Sequence, residues 1–511
     1  MSEKKIPLFV LFFFILVWVA FKWNSLYLPY FWDEAWSYVP AISEMAGRRP
    51  CLIPGCINTE LYRGHPLLFY FLSAGWMKWI GGSLWSMHFF AMLISIAAVI
   101  SFYRLLSLVL TSYQALFGAG LLILQEAFYV QSSFVLPEVF ILLLTLESIR
   151  SYVNGQKYYF LIVAGLLGVT KETGVVVIIS FALYHLFTER GFRLKSCWVY
   201  GAMLPAVIYF VLQKIMLGWF FYPLHLDLMD MSLPALCNKA ELILKFIFFD
   251  QGRKLILIIP GIVLIALQFL RNRRKYLLAF IAVLVLSIFT YIHESIFSIF
   301  IFIFLIYYYA RRLEGFTSLE RLLFKLIGIL FTSCFAFSVF NFLMVRYMLM
   351  ALPLLILVFS IIMQKATLHP PFYFPALCII LLLNFSWSFY YNDNIKEWHD
   401  DASINYIHIV KVHQQVVAYC EEEKWFEREI YTHFLLQQDL TNLAAGYLSS
   451  PVTFIKVNYQ GNVEPEDEII IFSSIEFEEW KYKSVKDNSK YRLAKRFEIN
   501  KAWAEIYTLN E

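Results

Sequence analysis

Residues 1–24, MSEKKIPLFVLFFFILVWVAFKWN, place a basic tip before an apolar run of about 17 residues, which is long enough to cross the hydrocarbon core of a bilayer. No small-residue cleavage site follows this run. The segment is therefore predicted to be a retained first transmembrane helix and not a signal peptide. Further apolar runs of this length would predict a protein that crosses the membrane several times.

Similar apolar runs recur along the first 390 residues. They lie near 84–103, 112–130, 135–150, 158–171, 174–188, 197–216, 254–270, 276–292, 295–310, 323–342, 347–364 and 372–391. Counted with the first run, they predict a polytopic α-helical membrane protein with about thirteen transmembrane helices. The two runs on either side of residue 170 are each short for the hydrocarbon core, and the charged residues between them could mark a tight outer turn.

Composition excludes two classes of protein. Hydrophobic residues make up 60% of the 511 residues and charged residues only 16%, too little polar surface for a soluble enzyme. The 42 Lys and Arg residues are nearly balanced by 38 Asp and Glu residues, so no nucleic-acid partner is expected. The seven cysteines lack paired metal-binding spacing, and only Cys51 and Cys56 are close enough in sequence to be considered as a disulfide pair.

Orientation follows from the Lys and Arg clusters, which fall in alternate loops and predict those loops to be cytoplasmic. The opposite loops, near 25–83, 131–137, 217–253 and 343–347, are then outside. An odd number of spans also places the C-terminus outside. We thus predict a multi-pass protein of the plasma (inner) membrane, with its active site and C-terminal domain on the extracytoplasmic, periplasmic side.

The composition changes near residue 391, which predicts a transmembrane domain over 1–391 and a soluble domain over 392–511. Residues 395–425 have the charge and apolar spacing of an amphipathic helix. Short β-like runs follow at 428–434, 451–457, 467–474 and 491–499, with a helical stretch at 439–449. This alternation favours a small α/β domain.

The long first outer loop carries adjacent carboxylates, Asp33 and Glu34, among Phe31, Trp32 and Trp36. A carboxylate at a membrane interface is partly desolvated, which raises its basicity and suits it to accept a proton from a hydroxyl. Alternatively, Asp33 could cap the helix that follows it. The sequence leaves both roles open.

Two histidines in the predicted outer loops have weaker signals. His65 precedes Pro66 at the start of an aromatic helix and could bind an anion or cap that helix. His225, in the loop 217–253, could contact a lipid or acceptor, although its aromatic neighbours are typical membrane-interface anchors. With Asp227 it supplies two ligands for a divalent metal, too few to assign a site, so no cofactor is assigned.

Several ionisable residues lie within or beside predicted spans, at their outer ends: Glu138, Lys171, Glu172, His293, Glu294 and Arg346. Such residues are costly in a membrane unless they face a polar cavity or a partner. A converging group of acids and bases would suit a site that binds a lipid-linked phosphate and activates a hydroxyl. The alternative is a set of structural ion pairs between helices, such as Lys171 with Glu172.

The order of five motifs resembles a known family. FWDEAWSYVPAI, GHPLLFYFL, LPEVFILLL, LLGVTKETGVVV and RYMLMALPLL occur in the order and on the side of the membrane found in family-39-like glycosyltransferases. These are relatives of protein O-mannosyltransferases and lipid A aminoarabinose transferases within the membrane-embedded C superfamily, GT-C. The resemblance covers roughly the first 390 residues and implies a GT-C fold, a polyprenyl-phosphate sugar donor and an inverting reaction.

The resemblance also implies roles for single residues. It implies a catalytic role for Asp33 as base, with Glu34 beside it, and for Glu138; it places His65 at the start of the phosphate-binding stretch, and Lys171, Arg346 and Tyr347 at positions facing the outer cavity. From the residues themselves we predict that Lys171 and Arg346 bind the donor phosphate and that Tyr347, His225 and Glu172 are candidate substrate contacts. The chain departs from the family pattern in the stretch that begins at His65-Pro66, where Leu67 stands in place of a second proline.

The sequence thus predicts an integral-membrane glycosyltransferase that moves a sugar from a polyprenyl-phosphate donor to a hydroxyl of a lipid, glycan or protein acceptor. Membrane lipids are its other expected partners. A transporter or flippase for an amphipathic anion would also need many spans and buried charges, but the long first outer loop and the soluble tail favour the enzyme. A non-catalytic scaffold is the third reading. Neither the sugar nor the acceptor can be read from the sequence.

Overall fold

The computed structural model describes residues 5–188, 198–253, 316–341, 344–366, 401–459, 468–476 and 478–510, with single positions at 281, 285, 379, 382 and 386. The predicted spans near 254–270, 276–292, 295–310 and 372–391 lie outside these ranges almost entirely. The pair His293 and Glu294 and the predicted domain boundary at 391 also lie outside them.

Within the described ranges the membrane part is built from helices. Their bounds are α1 Lys5–Lys22, α2 Val39–Gly47, α3 Thr59–Tyr62, α4 Leu68–Trp79, α5 Leu84–Leu106, α6 Ser112–Ile123, α7 Glu126–Gln131, α8 Glu138–Val153, α9 Lys157–Gly168, α10 Glu172–Thr188, α11 Trp198–Gly201, α12 Leu204–Leu217, α13 Pro223–Asp227, α14 Leu233–Phe248, α15 Ser318–Phe340 and α16 Ala351–Ala366.

Five helical segments in the described ranges are long and apolar enough to cross a membrane: Pro7–Tyr27, Leu84–Leu106, Trp198–Leu217, Ser318–Phe340 and Val345–Ile362. The remaining apolar helices are shorter, among them α6, α9 and α10. A membrane-embedded helical protein is confirmed. The count of about thirteen spans stays a prediction.

The run near 112–130, predicted as one span, consists of two helices. Thr111 and Gln114 form a reciprocal capping box that starts α6, which ends at Ile123. The chain then breaks at Gln125 and restarts as α7. The break places the buried Glu126 carboxylate where its Oε1 accepts hydrogen bonds from Ser403 Oγ (3.1 Å) and Ile404 N (2.9 Å). A buried carboxylate needs such partners, and an unbroken apolar pattern does not reveal them.

The charged residues near 170 lie at a turn between two helices, as predicted. α9 ends at Gly168 and α10 begins at Glu172, with Lys171 in the connection. The turn is tight at Gly174, where a Cβ atom would lie 2.1 Å from the carbonyl oxygen of Leu167. Only glycine permits this approach of two helix ends, and the turn fixes the position of the Lys171 side chain.

The C-terminal part contains the predicted α/β elements. They are helix α17 Tyr406–Glu422, β1 Glu429–Tyr431, helix α18 Phe434–Thr441, β2 Lys456–Asn458, β3 Ile469–Ser473, helix α19 Glu479–Lys486, β4 Tyr491–Ile499 and β5 Ala502–Leu509. The strands form one mixed sheet of order β2-β1-β3-β5-β4. β1 is parallel to β2 and β3, whereas β5 is antiparallel to β3 and β4. Strand β5 was missed in the sequence, and the predicted helix over 395–425 is helical only from Tyr406 within the described residues.

This C-terminal part packs directly on the first outer loop. Tyr30 N donates to Ala445 O at 2.9 Å, and Asn442 Nδ2 donates to Ala35 O at 2.7 Å. The ring of Phe434 meets that of Trp36 edge to face, with centroids 5.4 Å apart. The C-terminal sheet and the loop that carries Asp33 therefore support one another.

Candidate active site

Asp33 lies at the start of a π-helical turn, Glu34–Tyr38, after a residue with left-handed backbone, Trp32 (φ 53°). Its side chain does not cap the helix, so that alternative is excluded. Instead, Oδ1 accepts a hydrogen bond from Trp36 Nε1 at 2.9 Å, and Oδ2 contacts Arg346. With 20% of its side chain exposed, Asp33 remains reachable from outside.

Arg346 is the centre of the charged cluster. It lies in a short 3-10 turn, Val345–Met348, immediately before α16, and its side chain is completely buried. Its guanidinium contacts the carboxylates of Asp33 and Asp401, and its Nε lies 3.4 Å from Glu138 Oε1. A buried guanidinium with three carboxylates around it is held in one orientation.

Lys171 pairs with Glu138 and not with Glu172. Its Nζ lies 2.7 Å from Glu138 Oε1, and both side chains are 4% exposed. The same ammonium lies 4.3 Å from the ring centroid of Tyr347, a cation–π distance. Glu138 therefore contacts both Lys171 and Arg346, and the structure does not show the alternative ion pair of Lys171 with Glu172.

His65 instead pairs with Glu172, its Nδ1 lying 2.8 Å from Glu172 Oε2. It does not cap the aromatic helix, since α4 has Leu67 at its N-cap position. The His65 ring lies beside that of His225, with centroids 5.1 Å apart. Burial, with the neighbouring His65, lowers the pKa of His225 to about 4, so the His225 imidazole is neutral at pH 7.

Glu34 points away from Asp33, into the protein. Its Oε1 accepts from Val135 N at 2.5 Å and its Oε2 from Phe31 N at 3.3 Å, and it is 1% exposed. His88 Nε2 lies 3.5 Å from Oε1. The expectation that Glu34 stands beside Asp33 in one site is corrected, because the π turn sends adjacent side chains in different directions. Glu34 ties the first outer loop to the start of α8.

Asp401 was missed in the sequence. It belongs to a buried turn before α17, has no exposed side-chain surface and contacts Arg346, while its carbonyl accepts from Gln131 Nε2 at 2.7 Å. The sequence placed it in an amphipathic helix, where a carboxylate is usually solvated. Its only signal was a pair of aspartates at 400–401 just after the last apolar run.

Carboxylates outnumber cations in this cluster. Asp33, Glu138 and Asp401 face Lys171 and Arg346, which leaves one negative charge in excess. Burial would raise the pKa of Asp33, but Arg346 and the Trp36 hydrogen bond together outweigh it and hold that pKa below its usual range. Asp33 is thus ionised but a weak base while it contacts Arg346. The arrangement can hold an anion or accept a proton if that contact is exchanged.

No group of three or more His, Cys, Asp or Glu side chains within the described ranges is arranged to hold a metal ion. A disulfide joins Cys51 and Cys56 in the first outer loop.

Part of the chain matches a known family, and the chain as a whole superposes on a solved structure. Residues 64–214 match the family described as dolichyl-phosphate-mannose-protein mannosyltransferases, a stretch that includes Glu138 and Lys171 but neither Asp33 nor Arg346. The crystal structure of ArnT from Cupriavidus metallidurans bound to undecaprenyl phosphate superposes over 99% of this chain and 98% of that chain, with 11% identity and a TM-score of 0.52. The chain therefore shares the fold of that ArnT structure.

The apo form of the same ArnT covers 96% of this chain and 97% of its own, at 12% identity and a TM-score of 0.44. No curated protein sequence matches the chain. The partial family match and the fold shared with the undecaprenyl phosphate-bound ArnT, which covers 99% of this chain, confirm the resemblance that the sequence motifs indicated.

Proposed function

We propose that this protein is an integral-membrane glycosyltransferase that moves a sugar from a polyprenyl-phosphate donor to a hydroxyl acceptor on the extracytoplasmic face. One observation carries the proposal: a partly exposed carboxylate, Asp33, contacts a fully buried guanidinium, Arg346. A proton acceptor and an anion-binding group thus lie side by side, which a sugar transfer from a phosphate requires.

In the proposed reaction the acceptor oxygen attacks the anomeric carbon while the bond from that carbon to the phosphate oxygen breaks. The phosphate leaves with the bonding electron pair, and Asp33 takes the proton of the acceptor hydroxyl. Attack opposite the leaving group inverts the anomeric centre. Arg346 and Lys171 stabilise the charge that develops on the phosphate, because preorganised cations cost no reorganisation during the reaction.

The contact between Asp33 and Arg346 gives the site an order of events. While it persists, Arg346 keeps the basicity of Asp33 low. A donor phosphate that contacts Arg346 would replace the Asp33 oxygen there, and the basicity of Asp33 would rise. Donor binding would therefore activate the base, and water alone would not be deprotonated efficiently in the empty site.

Other residues of the cluster hold the reacting and phosphate-binding side chains in place. Glu138 holds Lys171 and Arg346 at one oxygen, while Tyr347 packs against the Lys171 ammonium. On the neighbouring side, the pair of His65 and Glu172 forms a polar wall that a substrate could contact.

The disulfide in the first outer loop favours placing this face outside the cytoplasm, since disulfides persist in oxidising compartments. With the basic loops on the opposite side, it supports a plasma-membrane protein whose acceptor is a lipid, glycan or protein of the envelope.

A transfer assay tests the proposal. The detergent-purified protein would be incubated with polyprenyl-phosphate donors carrying a radiolabelled sugar and with envelope extract, and both labelled acceptor and released polyprenyl phosphate would be measured. Transfer dependent on the protein is expected. Asp227→Asn, which changes an exposed aspartate outside the charged cluster, is the matched control and should keep full activity. A transporter or flippase would leave the donor intact, and that result would reject the enzyme.

A further inference from the structure

Arg63 stands next to the proposed base but belongs to none of the ion pairs described above. It follows α3 with left-handed backbone (φ 50°), and Gly64 continues in the same region (φ 69°). A non-glycine residue in this region is uncommon. The paired left-handed residues form the turn that leads from α3 to His65.

This turn places the Arg63 guanidinium on the face of Trp36, with its Cζ 3.8 Å from the ring centroid. The edge of the same indole donates its Nε1–H to Asp33 at 2.9 Å. One side chain, Trp36, therefore positions both a carboxylate and a cation. The Arg63 side chain is half-buried, and the indole supports it by a cation–π contact without satisfying its five N–H donors.

The other cations of the site are already occupied. Lys171 is paired with Glu138, Arg346 has three carboxylates around it, and His65 is paired with Glu172. Among the residues that the structure describes, no carboxylate lies within ion-pair distance of Arg63, and its guanidinium makes no hydrogen bond. Arg63 is thus the cation of this site that retains free donors.

Charge balance leads to the same residue. The three carboxylates around Lys171 and Arg346 leave one excess negative charge, which would repel an incoming phosphate. Asp33 is the most exposed of these three carboxylates and accepts a hydrogen bond from Trp36. The Arg63 guanidinium on the face of Trp36 compensates for this repulsion, and a planar guanidinium can bind two phosphate oxygens at once.

We propose that Arg63 binds the phosphate group of the polyprenyl-phosphate donor and delivers it to Arg346. This inference rests on the proposed function, and it adds a binding residue that the motifs did not indicate. His65, two residues further along the chain, is already paired with Glu172.

The test uses undecaprenyl phosphate, without sugar or acceptor, as a probe of binding to the detergent-purified full chain. Charge-assisted contacts of this kind predict that Arg63→Met weakens its binding about 10- to 100-fold. Arg63→Lys retains the charge but not the fork of donors, so an intermediate loss is expected. Arg48→Met is the matched control, because Arg48 lies in the same loop, is 64% exposed, and has as its side-chain partners Glu44 and the Cys56 carbonyl, both outside the charged cluster. Its affinity should equal that of the wild type.

Transfer kinetics separate the donor from the acceptor. Arg63→Met should raise KM for the donor and leave KM for the acceptor unchanged.

An unchanged affinity for undecaprenyl phosphate in Arg63→Met, or an effect confined to the KM of a phosphorylated acceptor, would overturn the inference while sugar transfer by the wild type stands. Conversely, a wild type that binds undecaprenyl phosphate through Arg63 but transfers no sugar would reject the proposed function and leave the inference intact. A wild type that does not bind the probe would overturn the inference.

Discussion

The Nζ atom of Lys171 lies 2.7 Å from Oε1 of Glu138, and both side chains are almost completely buried. This contact joins the turn before α10 to the first residue of α8. Two helix ends are thus fixed by one ion pair at the edge of the proposed site. Since a buried charge without its partner is costly, the pair should be detectable in stability as well as in activity.

Replacing Glu138 by Gln should destabilise the protein by about 3 kcal/mol, because Lys171 would be left buried and uncompensated. Adding Lys171→Met should recover part of the loss, so the double variant should be more stable than the sum of the single changes predicts. Thermal unfolding in one detergent measures both. The matched control is Glu241→Gln, which breaks the exposed pair with Lys245 and should cost at most about 1 kcal/mol. Strict additivity would mean that the buried pair does not couple.

Replacing Asp33 by Asn should lower turnover at least about 100-fold, because the amide cannot accept the proton of the acceptor. The amide oxygen can still accept the Trp36 hydrogen bond, so folding and undecaprenyl phosphate binding should be retained. Initial rates at saturating donor, compared with those of the Asp227→Asn control, measure the effect. Full activity in Asp33→Asn would remove Asp33 from the role of base.

Asp401→Asn should weaken the attachment of the C-terminal part, because its carboxylate has no exposed surface and contacts Arg346. A loss of about 1–3 kcal/mol in stability is expected, with reduced turnover as Arg346 loses a fixed partner. Hydrogen exchange of residues 401–405 should rise in this variant. Asp487→Asn, at an exposed position of the C-terminal part, should change none of these quantities.

The C-terminal part should show two opposing pH effects. Burial raises the pKa of Asp439 to about 6, despite its 2.7 Å contact with His413, so the folded state takes up a proton between the ordinary pKa of 3.8 and about 6. The contribution of Asp439 to the free energy of unfolding is therefore fully present at low pH and is lost as the pH rises through 6. Burial lowers the pKa of His433 to about 4 from 6.5, so its stability is present above 6.5 and is lost as pH falls toward 4.

Between pH 4 and 6 the two groups change the stability in opposite directions as pH rises. Asp439→Asn removes the contribution of Asp439 and should leave the pH dependence that is due to His433. In this variant the stability should rise with pH more steeply than in the wild type, by up to about 1.4 kcal/mol per pH unit. Hydrogen exchange of the β3 and β5 amides across this range measures it. An unchanged pH slope would show that Asp439 titrates at its ordinary pKa.

Topology can be checked by labelling. A cysteine at the exposed Ser484 should react with an impermeant thiol reagent in intact spheroplasts, whereas a cysteine at Tyr158, 85% exposed at the start of α9, should react only after lysis. The background should lack Cys197, Cys237 and Cys378, which would otherwise add signal. Labelling in the reverse order would place the proposed site on the cytoplasmic side.

The sequence by itself determined the class of protein, because long apolar runs satisfy their backbone hydrogen bonds only as helices in a membrane. It also identified Asp33, Glu138, Lys171 and Arg346 as residues needing an explanation, since charges near a span are costly. Hydrophobic pattern and propensity are local, so they also found four of the five strands of the C-terminal sheet.

Only the tertiary structure decided how those charges pair. Arg346 meets Asp33 across 313 positions and Asp401 across 55, and no local pattern encodes which partners a buried cation will find. The same holds for Glu34, which turns inward although it neighbours Asp33, and for Arg63, whose freedom depends on what surrounds it. A side chain's partners are set by packing between distant segments, and in a buried site those partners determine which charges remain available to a substrate.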